Sequence, residues 1–578
     1  MACDYDTVIR DGLIVDGSGD EPFEGDIAFK DERIAQIGRF AGSGAEEFDA
    51  RGKIVTPGFV DLHTHYDGQA LWENRLAPSS GHGVTTVVAG NCGVGFAPCR
   101  PEDRANLVVM MEGVEDIPNV VMADGLPWNW ETFGEYLDVL GDRELDADIA
   151  THVPHAPLRV YVMGRRGIDH EPATEADLAM MRQLVADGIR AGAFGVSTSR
   201  SFSHRRSDGP FISSIGADFE ELKALGMGLN DAGRGVFQLI PEVTDRTNRA
   251  EERRVIERLA AEIRRPVSFT LGGSYSDLRA WRSQLEWLDD MHAKGLQIRG
   301  QTFPRPTGVL LGLNLSVHPF FFKPTFRSLE AAPLGEIVRR MRASEVRARL
   351  LSEPSEGPNP FLIHLATGEH GSVFRLGDPP DYAPPQSASL NAEALRLGKP
   401  LDEVLYDALL EEEGQAILYS PGHFSGGDLY PAKDCLMNPG TLIGLGDGGA
   451  HYSMICDAAY PSFILNYWVK AAPQGRGLPL ASAIRALSKD TADHMGLWDR
   501  GMLHRGLKAD ANIIDMDKIA LHGPVVARDL PAGARRLTQK AAGYVATFVS
   551  GVATYRDGQP TGALPGRLVR SSQQHRAD

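Results

Sequence analysis

The chain has 578 residues, too many for one ordinary domain and enough for one large barrel with a smaller companion. Apolar residues make up 42% and charged residues 24%, so core material is ample and general disorder is excluded. With 59 basic and 77 acidic residues the net charge is −18, which opposes general binding to nucleic acid or anionic lipid and leaves a small-molecule substrate open.

Five cysteines, Cys3, Cys92, Cys99, Cys435 and Cys456, are odd in number and spread without a staple pattern. That usage, and an N-terminal MACDYDTVIRDG lacking a basic and then apolar leader, sets the expectation of a cytoplasmic protein. The longest apolar stretch, GVLLGLNLSVHPFFF, is too short to span a bilayer. Oligomeric state is not legible.

The first 55 residues or so alternate in short strand-like pieces (DTVIRDGLIVDG, GDIAFKDERIAQIG, GKIVTPG) separated by Gly- and Asp-rich turns. Short β-branched runs then recur, each mostly followed by a helix-like segment: GFVDLHTH (58–65), VTTVVAG (84–90), ADIATHV (147–153), AFGVSTS (193–199), GVFQLI (235–240), PVSFTL (266–271), LQIRGQ (296–301) and TLIGLGD (441–447). Eight strands alternating with helices predict an α/β fold, a (β/α)8 TIM-like barrel over 58–504. The long interval 302–440 holds the Pro-rich LGDPPDYAPPQ and a further strand candidate, AILYS (416–420), and reads as an insertion, either a lid or a packing element. Strand rhythm returns from about 505 in DANIIDM and GYVATFVSGVATYRDG. Residues 1–57 and 505–578 are therefore expected to form one small β-sandwich domain from both termini.

The strongest chemical signal is TPGFVDLHTHYD (56–67). Residues two apart on a strand point to the same side, so His63 and His65 project together at the C-terminal end of the first barrel strand, the face on which barrel active sites lie. Two convergent imidazoles suit zinc. In GVTTVVAGNCGVG (83–95), Cys92 follows a strand in a Gly-rich turn and reads either as a thiolate ligand or as a small buried hydrophobe. In IGLGDGGAHYSMICD (443–457), Asp447 ends the last barrel strand; it reads as a metal-binding carboxylate that takes a proton from water, or as a turn or cap residue. His451, four residues on, could assist substrate or stabilise the turn. Weaker candidates are His155 after the third strand and His204, Arg205 and Arg206 after the fourth, where an arginine could hold a substrate carboxylate. His364, His370 and His423 in the insertion are weaker still.

These motifs (IVTPGFVDLHTH, GVTTVVAGNCG, GAFGVSTS, GLGDGGAH and GLKADANIIDMD) resemble the amidohydrolase superfamily, and within it the D-aminoacylase (N-acyl-D-amino-acid deacylase) group, over nearly the whole chain. The resemblance implies a metal-bearing barrel flanked by a β-sandwich, with His63 and His65 as paired metal ligands, Cys92 as the zinc-binding cysteine and Asp447 as the catalytic aspartate. The group also places histidines after the fifth and sixth strands, where this chain reads GVFQLIPEV (235–243) and PVSFTLGG (266–273), and many relatives carry a bridging lysine at the end of the fourth. None of the three is present here, so one zinc or other divalent ion is expected, with Gln238, Glu242 or Gln301 as weak substitutes. The resulting expectation is a metal-dependent hydrolase of an amide bond in an N-acyl-(D-)amino acid or related small amide. A cyclic amide, imide or lactone is the near variant, and a catalytically inactive binding or scaffold protein is the alternative of another class.

Overall fold

A computed structural model describes residues 3–242, 249–271, 278–357, 360–367, 372–421, 429–473 and 475–571. Eight parallel strands follow one another in chain order: Phe59–Asp61, Val84–Ala89, Asp148–Pro154, Gly195–Ser199, Val236–Ile240, Val267–Thr270, Ile298–Thr302 and Thr441–Ile443. These are the eight segments picked out by periodicity. They read as near-continuous apolar or β-branched runs because both faces are covered, one by the barrel interior and one by helices. The segments that follow the two edge strands meet at the mouth, where Asp447 N–H donates to the His63 carbonyl (3.2 Å) and His65 N–H to the Gly448 carbonyl (2.8 Å). The hydrogen bonds that bridge the two ends of this curled sheet thus run through the residues of its strongest chemical motifs.

The connecting helices carry explicit start and stop signals. In Glu175–Ala191, the Thr174 hydroxyl accepts from Asp177 N–H (3.3 Å) and the Asp177 carboxylate accepts from Thr174 N–H (2.8 Å), a reciprocal cap worth about 1 kcal/mol. Its Met181, Val185, Ala186 and Ile189 are buried at helical spacing.

Both chain ends build a separate nine-stranded sheet, joined where Ala511–Ile514 pairs antiparallel with Ile54–Pro57. Its long first strand, Tyr5–Ile14, pairs with Gly44–Asp49 early and with Ile54–Pro57 at its end, across an irregularity between Ile9 and Gly12. Ile9, Ile27, Phe29, Val55, Ile513 and Phe548 form its core. The sheet docks on the turn before the second barrel strand: Asn512 Nδ2 donates to the Gly83 carbonyl (3.0 Å) and Tyr544 Oη to the His82 carbonyl (2.9 Å).

Between the seventh and eighth barrel strands lies a three-stranded antiparallel sheet of Gly308–Leu311, Leu418–Pro421 and Phe374–Arg375, with helices around a core of its own that includes Phe320, Phe326, Val338 and Tyr406. Among the described residues no helix is long and apolar enough to cross a membrane.

Candidate metal centre

His63 and His65 leave the end of the first barrel strand with side chains about 1% exposed. Their Nε2 atoms converge on one point. Cys92 Sγ lies 3.4 Å from the first and 3.7 Å from the second, and Asp447 Oδ1 lies 3.5 Å and 3.7 Å from the same two atoms. The donors of His63, His65 and Cys92 all fall within 4.8 Å of one another, and Asp447 joins them from the histidine side.

Local backbone chemistry puts them there. Cys92, Asp447 and His451 all hold left-handed φ values, of 56°, 48° and 51°. Such conformations cost an ordinary side chain about 1–3 kcal/mol each, and strain of this kind gathers at functional sites. The glycines beside them are obligatory. A Cβ on Gly93 would stand 2.8 Å from Thr198 Cα, and one on Gly449 would stand 2.7 Å from the His65 carbonyl oxygen. Asn91 anchors the cysteine turn through Nδ2, which donates to the Val88 (2.8 Å) and Thr64 (3.2 Å) carbonyls.

Two groups behind the histidines orient them. Gln301, on the seventh strand, accepts from His63 Nδ1 at 2.6 Å and donates through Nε2 to Ser268 Oγ at 3.1 Å. A carboxamide oxygen only accepts, so the ring proton sits on Nδ1 and the Nε2 lone pair faces the cluster. Glu115 ends helix Arg104–Glu115 with Oε1 3.4 Å from His65 Nδ1 and Oε2 3.7 Å from His451 Nε2. Its carbonyl also accepts from His451 N–H at 2.5 Å. Neither His65 Nδ1 nor Glu115 Oε1 has a hydrogen-bond partner among the described residues, and the two face each other as a buried ion pair. Glu115 carries no motif in the sequence and is visible only once the helix is placed.

Electrostatics set the protonation states. Burial pushes His63 down to about 4, so its imidazole is neutral at physiological pH. Burial acts on His65 in the same direction, but Glu115, Cys92 and Asp447 overcome it and hold the ring well above the usual value. Burial alone would raise the Asp447 carboxyl; its close contact with His65 and the neighbouring His63 and His451 rings instead hold it well below the carboxylate range. Burial pushes Cys92 up to about 12 and Glu115 up to about 7.

The remaining sequence candidates are placed as follows. His155 is buried, but both ring nitrogens are taken, by Thr198 Oγ1 (2.8 Å) and Glu221 Oε1 (2.9 Å), in a network that Arg159 completes. Arg205 stacks on Phe211 at 3.9 Å and donates to the Gly209 carbonyl (3.0 Å), while Arg206 forks onto Asp208. The recorded partners of both arginines therefore lie within their own loop. His451 stands beside the cluster through Glu115, and the ring of His204 feels the charges of His451, His65 and Asp447. His364 is exposed on helix Pro360–Thr367, and His370 and His423 lie outside the described residues. Of the substitutes considered for missing ligands, Gln301 is the His63 partner and Glu242 accepts from Phe202 N–H at 2.6 Å. Gln238 is fully buried mid-strand with neither carboxamide atom hydrogen-bonded.

The donor set fits a divalent metal. Bonds of about 2.0–2.1 Å to nitrogen and oxygen and 2.3 Å to sulfur put neighbouring donors of a tetrahedral zinc site about 3.4–3.6 Å apart. The separations of 3.4–3.7 Å from each histidine Nε2 to Cys92 Sγ and to Asp447 Oδ1 match that spacing, while Asp447 stands outside the three donors that lie within 4.8 Å of one another. Buried atoms at the cluster without a hydrogen-bond partner, Asp447 Oδ1 among them, suit ligation of a metal ion.

The profile of the amidohydrolase family matches residues 46–561. An uncharacterized protein of Mycobacterium tuberculosis is 34% identical over 250 residues, 41% of this chain and 40% of that protein. The N-acyl-D-aspartate deacylase of Alcaligenes xylosoxydans xylosoxydans is 36% identical over 196 residues, 33% of this chain and 36% of the relative. The matched stretches thus span well under half of these relatives. The crystal structure of N-acyl-D-glutamate deacylase from Bordetella bronchiseptica, complexed with zinc and a phosphonate inhibitor, superposes with a TM-score of 0.64 at 20% identity, over 98% of this chain and 100% of that one. At that identity the likeness carries the fold. With the family profile spanning the barrel, the His63–Asp447 cluster and the later strands of the terminal sheet, the chain belongs to the amidohydrolase family.

Proposed function

We propose that this protein is a metal-dependent amidohydrolase that cleaves the amide bond of an N-acyl-(D-)amino acid or a related small amide. The observation that carries this reading is the convergence of His63, His65 and Cys92 in the barrel mouth, with Asp447 beside both histidines. Relatives named for N-acyl-D-amino-acid deacylation support the substrate class. We further take residues 1–57 with 505–578 as one unit and 58–504 as the catalytic barrel, with 302–440 as its insertion.

His63, His65 and Cys92 would hold one ion, zinc by the softness of the donor set, with Asp447 completing the site. When bound, the metal supplies Lewis acidity toward the scissile carbonyl and activates water. Asp447 then has two duties. As a carboxylate held ionised by its histidine neighbours, it accepts a proton from the attacking water; it later delivers that proton to the leaving nitrogen, so a C–O bond replaces the C–N bond and the amine departs neutral. Gln301 and Glu115 keep both imidazoles aimed with Nε2 toward the ion. No histidine stands in the described fifth and sixth strands, which supports one ion rather than two.

Glu115→Gln is expected to weaken metal affinity about 10–100-fold while leaving the fold intact, because it removes the charge behind His65. Competition with a chromogenic chelator reads this directly; unchanged affinity would remove Glu115 from the site.

A panel of N-acyl-D-amino acids, their L-enantiomers, cyclic imides and lactones tests the substrate class on metal-loaded protein. Turnover of an N-acyl-D-amino acid ahead of its enantiomer is expected. Preference for a cyclic imide or lactone would favour the near variant of this reading. No turnover of any member by metal-loaded protein would favour a binding protein on the same fold.

A further inference from the structure

A large cavity of about 970 Å³ lies at the other end of the barrel, beneath the strand N-termini. Its wall is rich in arginine. Arg234 and Arg265 enter from the turns before the fifth and sixth strands, Arg264 adjoins Arg265, Arg485 comes from helix Leu480–Leu487, and Arg299 belongs to the seventh strand itself. In a chain of net charge −18 this is a local reversal of sign.

The charges are poorly compensated. Two carboxylates share the wall, but Asp490 pairs with Arg485 (3.0 Å) and Asp493 pairs with Lys489. Arg234 is held by Ser571 Oγ (3.0 Å) and the Ile189 carbonyl (2.7 Å), and Arg265 by Asn230 Oδ1 (3.0 Å), partners that orient a guanidinium without neutralising it. Among the described residues, no hydrogen bond or ion pair reaches the guanidinium of Arg264 or Arg299.

Helix ends account for part of this. Arg234 and Arg264 follow helices Phe219–Ala232 and Arg249–Ile263, and helix Leu278–Ala293 ends on the same side. A helix C-terminus carries about half a negative charge, so three of them offset about one and a half of the four unpaired cations. Arg299 has no such explanation. It stands two residues before Gln301, on the same face of the strand, and so at the base of the barrel interior. Burial disfavours the charged forms of Arg299, Arg234 and Arg265 and pushes all three below the usual arginine value. Asp490, shared with Arg485, offsets only part of this for Arg299, and an under-compensated, partly buried cation is a standing cost that a bound anion removes.

We propose that this basal cavity is a binding site for a small multivalent anion of phosphate or carboxylate chemistry, gripped by Arg299 at its floor and by Arg234, Arg264 and Arg265 around it. Guanidinium forks suit the oxygens of either group. The site is independent of the metal centre at the mouth and of the reading given to it.

The test is calorimetric titration of the full chain with sodium phosphate and, separately, sodium succinate, with ionic strength held constant by sodium chloride. One saturable site is expected for at least one of the two anions, and which anion binds separates phosphate from dicarboxylate ligands. Affinity should fall at least tenfold in Arg299→Gln and in Arg264→Gln, and stay unchanged in Arg51→Gln on the exposed terminal sheet. Arg264 is exposed, so its variant keeps the test open if Arg299→Gln fails to fold. Absence of saturable binding of both anions, or equal binding by the wild type and both basal variants (which would place the anion elsewhere, such as the barrel mouth), would overturn the proposal.

Discussion

Asp447→Asn is expected to lower kcat/KM about 10³–10⁴-fold on whichever amide proves to be the substrate. The substitution keeps the size of the side chain and its strained backbone position while removing the group proposed to carry the proton. General acid–base catalysis contributes about 10²–10⁴-fold, and here one residue is proposed to act in both directions. The loss should therefore appear mainly in kcat. Metal content measured on the same sample separates metal binding from proton transfer at Asp447: His63, His65 and Cys92 remain, so the ion should stay while turnover falls. Activity within tenfold of the wild type would contradict a proton-transfer role.

Asp148→Ala is expected to destabilise the protein by about 3–5 kcal/mol without touching the metal centre. Asp148 opens the third barrel strand, is fully buried, and accepts from Arg500 Nη1 (2.5 Å), Lys508 Nζ (2.9 Å) and Arg567 N–H (3.0 Å). Lys508 in turn pairs with Asp510 (2.8 Å), whose carboxylate accepts from Ser550 N–H (2.8 Å) of the terminal sheet. Removing Asp148 takes a shared counter-charge from two cations that are themselves about 4% exposed. It also cuts the polar joint between barrel and terminal sheet. Asp138→Ala is the matched control: Asp138 pairs with Arg570 at 2.7 Å, but its side chain is 75% exposed, so the change should stay within about 1 kcal/mol. Urea unfolding of both variants reads the contrast as a shift in midpoint at constant slope. Similar midpoints for the two would show that the buried cluster does not act as a joint.

The barrel was legible because parallel strands covered on both faces leave runs such as VTTVVA and VFQLI, which stand out from the amphipathic helices between them. That His63, His65, Cys92 and Asp447 come together was legible because each follows a barrel strand, beside residues that constrain the turn. Glu115 was not: a glutamate in the last turn of an apolar helix has no local signature, and its relation to His65 depends on how that helix packs. Gln301 was noticed as a weak substitute ligand, whereas it hydrogen-bonds behind His63, a difference decided by which ring nitrogen faces the strand. His155 resembled a site residue by position alone. Its two nitrogens are satisfied by Thr198 and Glu221, and only the fold brings those partners to it.

The most direct measurement is the metal content of the purified protein after zinc loading and removal of excess ion. About one equivalent per chain is expected for the wild type and none for the His63→Ala, His65→Ala double variant, with both proteins folded by circular dichroism. Failure of the wild type to retain any divalent metal under any loading condition, or full retention by the double variant, would contradict a metal site built on His63 and His65.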